Sequence, residues 1–510
     1  MGESRIVKSS YNAIFGILYQ IVVLVFSFAS RTIFIKILGS EYLGINGLFG
    51  NILTVLSLAE LGFSSAINYS LYKPIADHDV HKIAALMKFF KKIYYVVATV
   101  VLGIGLSLVP VLRYLVNVET DIPNLTLYYI LILMQTVISY LFVYKMAIIN
   151  ANQQGYLVSN YGIFTYILQF VLQNAMLIMT HNFALYLSVQ ILCTLINNLL
   201  ISHKADLVYP ELKYQDRLKK SEKIAIFRNV KDLFMYRIGA VILNGTDNIL
   251  ISTLVGTIWV GIYSNYLMLV NAVKGFVTII FNAMQASIGN LSVKEDLDTQ
   301  FRLFKVLDLL CFCCYGFCSI CFWTLLDKFI FIWLGSDYLL EPYVVAVIVF
   351  NFYIPGVLSI TSMYRDATGM FRQTKFIFLT TAFLNLILSI ILGKIFGLTG
   401  ILTATLIARL CTNFWFEPFI IFKHYFKRNV CSFFLNQIVR IIFISILVGF
   451  YSFIFNFIPL NIGTFLVESV VCGVSTLLAI WLYIRRKEEY TYIYENLIKK
   501  VLMQMRIIKK

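Results

Sequence analysis

Apolar positions along the chain come in runs of twenty or more, interrupted by short polar stretches, and the alternation of a half-buried strand is absent. A hydrocarbon layer about 30 Å thick takes about 20 helical residues to cross. About fourteen runs reach that length, at 11–38, 43–72, 91–115, 125–149, 156–179, 183–203, 231–254, 257–290, 301–326, 341–364, 374–396, 399–423, 433–457 and 462–484. The pattern predicts an all-α polytopic membrane protein of about 14 transmembrane helices. Pro355-Gly356 falls in the middle of span ten, where a proline removes a helix hydrogen bond and makes a hinge.

Composition agrees with the pattern. Of 510 residues, 60% are hydrophobic and 13% charged, far from the roughly 25% charged of a water-soluble fold. The net charge of +16 raises the question of nucleic acid until the basic residues are placed. With the N-terminus inside, 33 of the 42 Lys and Arg fall in alternate loops or at the two ends, the arrangement that keeps positive segments cytoplasmic. Both termini are then cytoplasmic, the span number is even, and the charge is topological, so no nucleic-acid partner is implied. The first run is longer than a secretory h-region and apolar chain continues past Arg31, so it reads as a span.

A self-similarity at an offset of about 217 to 220 residues relates the two halves. Gly39 with Leu43-Gly44-Ile45 matches Gly256 with Val260-Gly261-Ile262, and Tyr144-Lys145-x-Ala147 matches Tyr364-Arg365-x-Ala367. The organisation expected is an N-lobe at 1–203, a basic cytoplasmic linker at 204–230, a C-lobe at 231–430, two extra helices at 431–484, and a cytoplasmic amphipathic tail at 485–510. The lobes form a parallel repeat, six helices each.

Charges at membrane depth are costly and usually face a cavity or a partner. Here they share helix faces with other polar residues: Gln20, Ser27 and Arg31 in span one; Ser57, Glu60, Ser64 and Asn68 in span two; Arg237, Asn244 and Asp247 in span seven; Asn271, Lys274, Thr278, Asn282 and Gln285 in span eight. The competing reading of each is interhelical glue. Four stripes on corresponding helices of both halves point to a shared wet lumen. Arg31, Arg237 and Lys274 would attract an anion, and guanidinium groups suit phosphate oxygens. Asn244, Asn271, Asn282 and Gln285 would bind beside them. Glu60 and Asp247 would tune those charges or take a coupling H+ or Na+. Arg409 in span twelve and Arg440 in span thirteen lie outside the stripes, Arg440 close enough to the cytoplasmic end to snorkel. Glu417 reads as an interfacial carboxylate. Gln169, Gln173, Asn385 and Ser389 offer hydrogen bonds to sugar hydroxyls or to neighbouring helices.

No nucleotide, nucleophile or metalloprotease motif appears, so no cofactor and no catalytic residue is expected. The four cysteines Cys311, Cys314, Cys318 and Cys321 share one helix face and read as small packing residues.

The string from Ser30 to Phe49, Thr246-Asp247-Asn248-Ile249-Leu250-Ile251-Ser252, Tyr263-Ser264-Asn265-Tyr266 and Ala286-Ser287-Ile288-Gly289-Asn290-Leu291 resembles bacterial polysaccharide repeat-unit flippases of the Wzx type. These belong to the multidrug/oligosaccharidyl-lipid/polysaccharide exporter superfamily, which is MATE-like. The resemblance implies a bacterial cytoplasmic-membrane transporter rather than an enzyme. Its substrate would be an undecaprenyl-diphosphate-linked oligosaccharide, flipped from inner to outer leaflet for capsule, exopolysaccharide or teichoic-type glycan. Membrane lipids and the glycosyltransferases and polymerase of the pathway would be its partners, and spans thirteen and fourteen would groove the polyprenyl tail. A cation-coupled multidrug exporter of the same superfamily, or a membrane-bound polysaccharide polymerase or ligase, are the alternatives.

Overall fold

A computed structural model describes residues 5–60, 63–117, 122–214, 216–294, 296–368 and 370–493. Among them every regular element is helical. Among the described residues nine helices are long and apolar enough to cross a membrane, or ten when Leu125–Tyr140 and Val143–Ala151, bent by 42°, count as one span, against the fourteen expected. The described residues of the predicted runs lie mostly on helix. The first part of the chain builds α1 (Arg5–Leu56), α2 (Phe63–Ala76), α3 (Val80–Ser107), α4 (Leu112–Leu115), α5 (Leu125–Ala151), α6 (Gly155–Thr180), α7 (Phe183–Val208), α8 (Lys220–Gly245) and α9 (Asp247–Leu254). There follow α10 (Thr257–Lys294), α11 (Leu297–Leu334), α12 (Pro342–Val357), α13 (Ser359–Thr368), α14 (Phe371–Cys411), α15 (Asn413–Ile420), α16 (Cys431–Phe455), α17 (Ile462–Ile484) and α18 (Glu488–Ile493). Of the expected tail, residues 494–510 lie outside the described residues.

Two helices each contain two predicted spans joined at a glycine. Gly39 in α1 has φ 83° and ψ −179°, and Gly397 in α14 has φ 57° and ψ −134°, conformations a side chain resists. Span two is broken as well: α1 ends at Leu56, a 3-10 turn covers Ser57–Glu60, and α2 resumes at Phe63. Other ends differ from the hydropathy limits because polar residues extend the helices. Asp79 accepts from the Lys82 amide at 2.9 Å and starts α3 eleven residues before the apolar run. The linker is itself mostly helical, since α7 runs to Val208 and α8 starts at Lys220.

The chain divides into two compact units, residues 1–261 and 262–510. Lipid tails are as apolar as leucine, so such helices associate through close packing, small residues and hydrogen bonds. In the first unit α1 lies along α6, and α5 lies between α3 and α7. Phe34, Tyr42, Tyr128, Phe183 and Tyr186 form an aromatic cluster, and Ser30 donates to the Asn174 side chain at 3.2 Å. In the second unit α11 is central, against α12, α16 and α17. Phe301, Phe304, Tyr364, Phe422 and Phe426 stack at one of its ends, and Lys328 reaches Glu468 at 2.7 Å near the other.

Two glycine pairs matched by the offset share local features. Gly256, the counterpart of Gly39, also has positive φ, 141°. Gly44 and its counterpart Gly261 are both sites of close approach: an added Cβ would stand 2.0 Å from the Thr257 carbonyl oxygen at one and 2.2 Å from that of Ser40 at the other. α9 and the start of α10 are pinned to the end of α4, Ser252 donating its hydroxyl to the Leu115 carbonyl at 2.8 Å and Thr257 its amide to that of Asn117 at 2.8 Å.

Candidate functional site

The break in span two presents Glu60 in a 3-10 turn against α3 and α5. Tyr94 donates to its carboxylate at 3.3 Å, and the Tyr140 hydroxyl hydrogen-bonds it too. Two phenols therefore hold this acid among tyrosines, as a half-buried carboxylate that is an acceptor for further donors or a cation. Ser57, one turn earlier, closes on its own helix by donating to the Thr54 carbonyl at 2.6 Å. Arg31 is half-buried on α1, within electrostatic reach of Tyr186 on α7. Ser27 of the same stripe donates to Leu24 at 3.1 Å, so the cation rather than the hydroxyl is the feature of that face.

In the second unit Lys274 is exposed on α10 with Asn271 one turn before it, also exposed. Arg409 on α14 acts on the Lys274 ammonium as a like charge. Arg409, outside the stripes in the sequence, lies within electrostatic range of Lys274 in the fold. Its position follows from the proline. Pro355 has no N–H, so the Asn351 carbonyl four residues earlier loses its helical partner. Arg409 Nη1 donates to that carbonyl at 3.3 Å, while Asn351 Nδ2 donates to the Leu402 carbonyl at 3.0 Å. The helix breaks after Val357, and Gly356 packs so tightly that a Cβ there would stand 2.2 Å from the Tyr315 ring. Pro355 thus frees an acceptor for an intramembrane arginine, and Gly356 makes room for an aromatic neighbour.

Asp247 is the first residue of α9, just past the α8 break, and is half-buried. Arg237 and Asn244 lie on α8, and Asn282 and Gln285 on α10, but their side chains lie outside the described residues, as do those of Ser64 and Asn68. Thr278 donates back to Lys274 at 2.7 Å. The residues offered to sugars are engaged in helix packing: Gln169 donates to Gln173 at 2.9 Å, Gln173 to the Tyr186 carbonyl at 3.1 Å, and Asn385 to Thr405 at 2.8 Å.

Two buried ion pairs and a half-buried acid in the second unit depart from the sequence expectation. Arg440 does not snorkel: it is 3% exposed and pairs with Asp308 at 2.8 Å, Gln437 donating to the same carboxylate at 3.0 Å. Glu417 is not interfacial: it is 2% exposed and takes Arg365 Nη1 at 2.6 Å and the Ser362 hydroxyl at 2.9 Å. Asp327 accepts from Tyr266 at 2.8 Å. The available signal was one of pairing: each acid sits at the polar end of an apolar run, and a cation or phenol waits on another helix.

Outside the spans, the linker is tied to the start of α3. His81 Nδ1 lies 3.0 Å from Asp216 and its ring stacks on Tyr214. Lys82 bonds Glu222, and this hydrogen bond holds the Glu222 carboxyl below its usual range. Among the described residues no group of three or more His, Cys, Asp or Glu converges as metal ligands.

The described residues form an all-α bundle of apolar helices, several of them broken at charged or glycine positions. Among solved structures the chain resembles the lipid II flippase MurJ in its inward closed conformation, with TM-score 0.66 and 15% identity, over 96% of this chain and 99% of that one. It also resembles an inward-facing multidrug resistance MATE family transporter of the MOP superfamily, with TM-score 0.62 and 13% identity, over 78% of this chain and 94% of that one. A third is the MATE multidrug transporter DinF-BH, with TM-score 0.57 and 15% identity, over 82% of this chain and 94% of that one. At these identities the likeness is one of fold. No family model matches the chain, and no curated protein matches it.

Proposed function

We propose that this chain is a flippase of the Wzx type in the multidrug/oligosaccharidyl-lipid/polysaccharide exporter superfamily. It moves undecaprenyl-diphosphate-linked oligosaccharide units from the cytoplasmic to the outer leaflet by alternating access, in fourteen crossings with both termini cytoplasmic. The observation that carries this reading is the set of cations on helices at membrane depth, Arg31 on α1, Lys274 on α10 and Arg409 on α14, the last two within electrostatic range of each other. Cations at membrane depth attract an anion, and a diphosphate supplies two charges with several acceptor oxygens. Arg31 and Arg237 are the cations offered to an anion in the first unit, where Glu60 and Asp247 compete for the cations or take a coupling H+ or Na+.

Coverage supports the lipid-linked substrate over a drug. The MurJ fold covers 96% of this chain and the MATE folds about four fifths, which favours a flippase with two further helices. A drug exporter for cations would gain from an acidic site, opposite to the Lys274 and Arg409 pair. In a strain lacking the protein, lipid-linked oligosaccharide should accumulate in the inner leaflet and surface glycan should be lost. The Arg31→Ala/Arg237→Ala variant, present at normal level in the membrane, should fail to restore it. Full restoration by that variant, or drug hypersensitivity of the strain with intact glycan, would overturn the assignment.

A further inference from the structure

Contacts between α11 and α17 descend one helix as they climb the other: Lys328 meets Glu468 at 2.7 Å, Cys321 meets Cys472, and Phe312 meets Tyr483 with ring centres 5.5 Å apart. The two helices are antiparallel, and an ion pair fixes their register. Lys328 Nζ donates to both oxygens of Glu468, at 2.9 and 2.7 Å, and that acid is 2% exposed. A pair this dry resists sliding, because parting the charges strands each of them. One turn past Glu468, Cys472 is fully buried with Ile320, Tyr451 and Phe455, and the half-buried Cys321 packs against the same cluster. The two thiols hydrogen-bond each other, and the hydroxyls of Thr324 and Thr476 hydrogen-bond Cys472 as well.

This contact sets Cys321 apart from the other cysteines on its face of α11. Cys311 meets the Ser359 hydroxyl at 3.5 Å, while Cys314 and Cys318 follow along the same helix. Cys472 is the one cysteine of α17, and all nine cysteines are free thiols. Sulfurs in hydrogen-bond contact stand no more than about 2 Å beyond disulfide length, so the bond closes with little movement of either helix. We infer that Cys321 and Cys472 form an oxidisable pair, which closes a disulfide between α11 and α17 when a peroxide reaches the membrane. The Cys321 sulfur, the more accessible of the two, attacks the peroxide O–O bond. It becomes a sulfenic acid, and its proton passes to the oxygen that leaves as water, or as an alcohol when the peroxide is a lipid's. The Cys472 sulfur then attacks Cys321, the S–O bond breaks, and the hydroxyl departs as water with the second thiol proton. Two thiols are oxidised and one peroxide is reduced. The pair does not rest on the transport reading, since none of the cations assigned to the substrate takes part.

The test exposes the full chain, purified in a neutral detergent, to hydrogen peroxide, blocks the remaining thiols with iodoacetamide and maps a tryptic digest by mass spectrometry. Trypsin cuts after Lys305, Lys328, Arg440 and Arg485, so oxidation should join residues 306–328 to 441–485, at about 2 Da below the sum of the two peptides. Cys472 is the one cysteine in the second peptide. Two of the nine thiols should be lost, a dithiol reductant should restore them, and melting temperature should rise on oxidation. Cys321→Ser should abolish both the joined peptide and the rise, while Cys318→Ser keeps both. Should Cys321→Ser misfold, Cys321→Ala should give the same loss. Absence of the joined peptide from the folded wild type, or its persistence without Cys321, would overturn the pair. So would oxidation that stops at a sulfinic acid or links two cysteines within α11.

Discussion

Lys145 and Arg365 occupy matched positions in the two halves, each following a tyrosine and each reaching an acid on a later helix, Asp206 in the first unit and Glu417 in the second. The lengths are the same, 2.6 Å, but the surroundings are not. The Asp206 side chain is 44% exposed, whereas those of Arg365 and Glu417 are 2% and 3% exposed. In water such a pair is worth little; in a dry interior, removing the arginine leaves the Glu417 carboxylate without its cation, while Arg365 also pairs with Asp366 at 2.8 Å.

The largest effect should therefore come from Arg365→Ala, which strands Glu417 and should lower unfolding free energy by about 3–5 kcal/mol, read from denaturant unfolding in detergent. Adding Glu417→Leu should restore most of it; if the double variant is as unstable as the single one, the loss is of packing and not of charge. Next are the crossing glycines. Gly44→Ala should cost about 1–3 kcal/mol, because its Cβ meets a backbone carbonyl that cannot rotate away, while Gly50→Ala, with nothing within 4 Å, should be near neutral. Lys145→Ala should cost about 1 kcal/mol or less. A cost equal to that of Arg365→Ala would erase the contrast.

The smallest effect is one of pH. Glu222 is held below its usual range by Lys82, so the ionised tie contributes at neutral pH and above its unfolded pKa, and is lost as pH falls through the folded value. Protease cleavage within 209–220 should accelerate below about pH 4.5 in the wild type and be fast at all pH in Lys82→Ala. An equal rate for the two proteins at pH 7 would remove the tie from the account.

Hydropathy made the helices legible, because a span must be long and apolar whatever it packs against. The repeat was legible where glycine was required: Gly39 and Gly256 for their positive φ, Gly44 and Gly261 for close approach. Helix ends were less so, since Asp79 and the lysines of α3 extend a helix beyond its apolar run. Among site residues, single helix faces pointed to Arg31, Glu60 and Lys274, but a face does not reveal what comes toward it. Hence Tyr94 and Tyr140 around Glu60, Arg409 beside Lys274, and the burial of Arg440 and Glu417 were hidden: each is set by a contact across more than thirty residues of chain. Pro355 was legible as a break but not as the reason Arg409 finds an acceptor.

The central claim is that the cations at Lys274 and Arg409 meet a diphosphate. The direct measurement is translocation of undecaprenyl-diphosphate-linked oligosaccharide in vesicles reconstituted with the wild type or with Lys274→Gln, a change at an exposed side chain that should leave melting temperature unaltered. Losing a charge-assisted hydrogen bond of about 1.5–3 kcal/mol should slow flipping by about ten- to a hundredfold, with Lys274→Arg largely retaining it. An unchanged rate in Lys274→Gln would contradict the account.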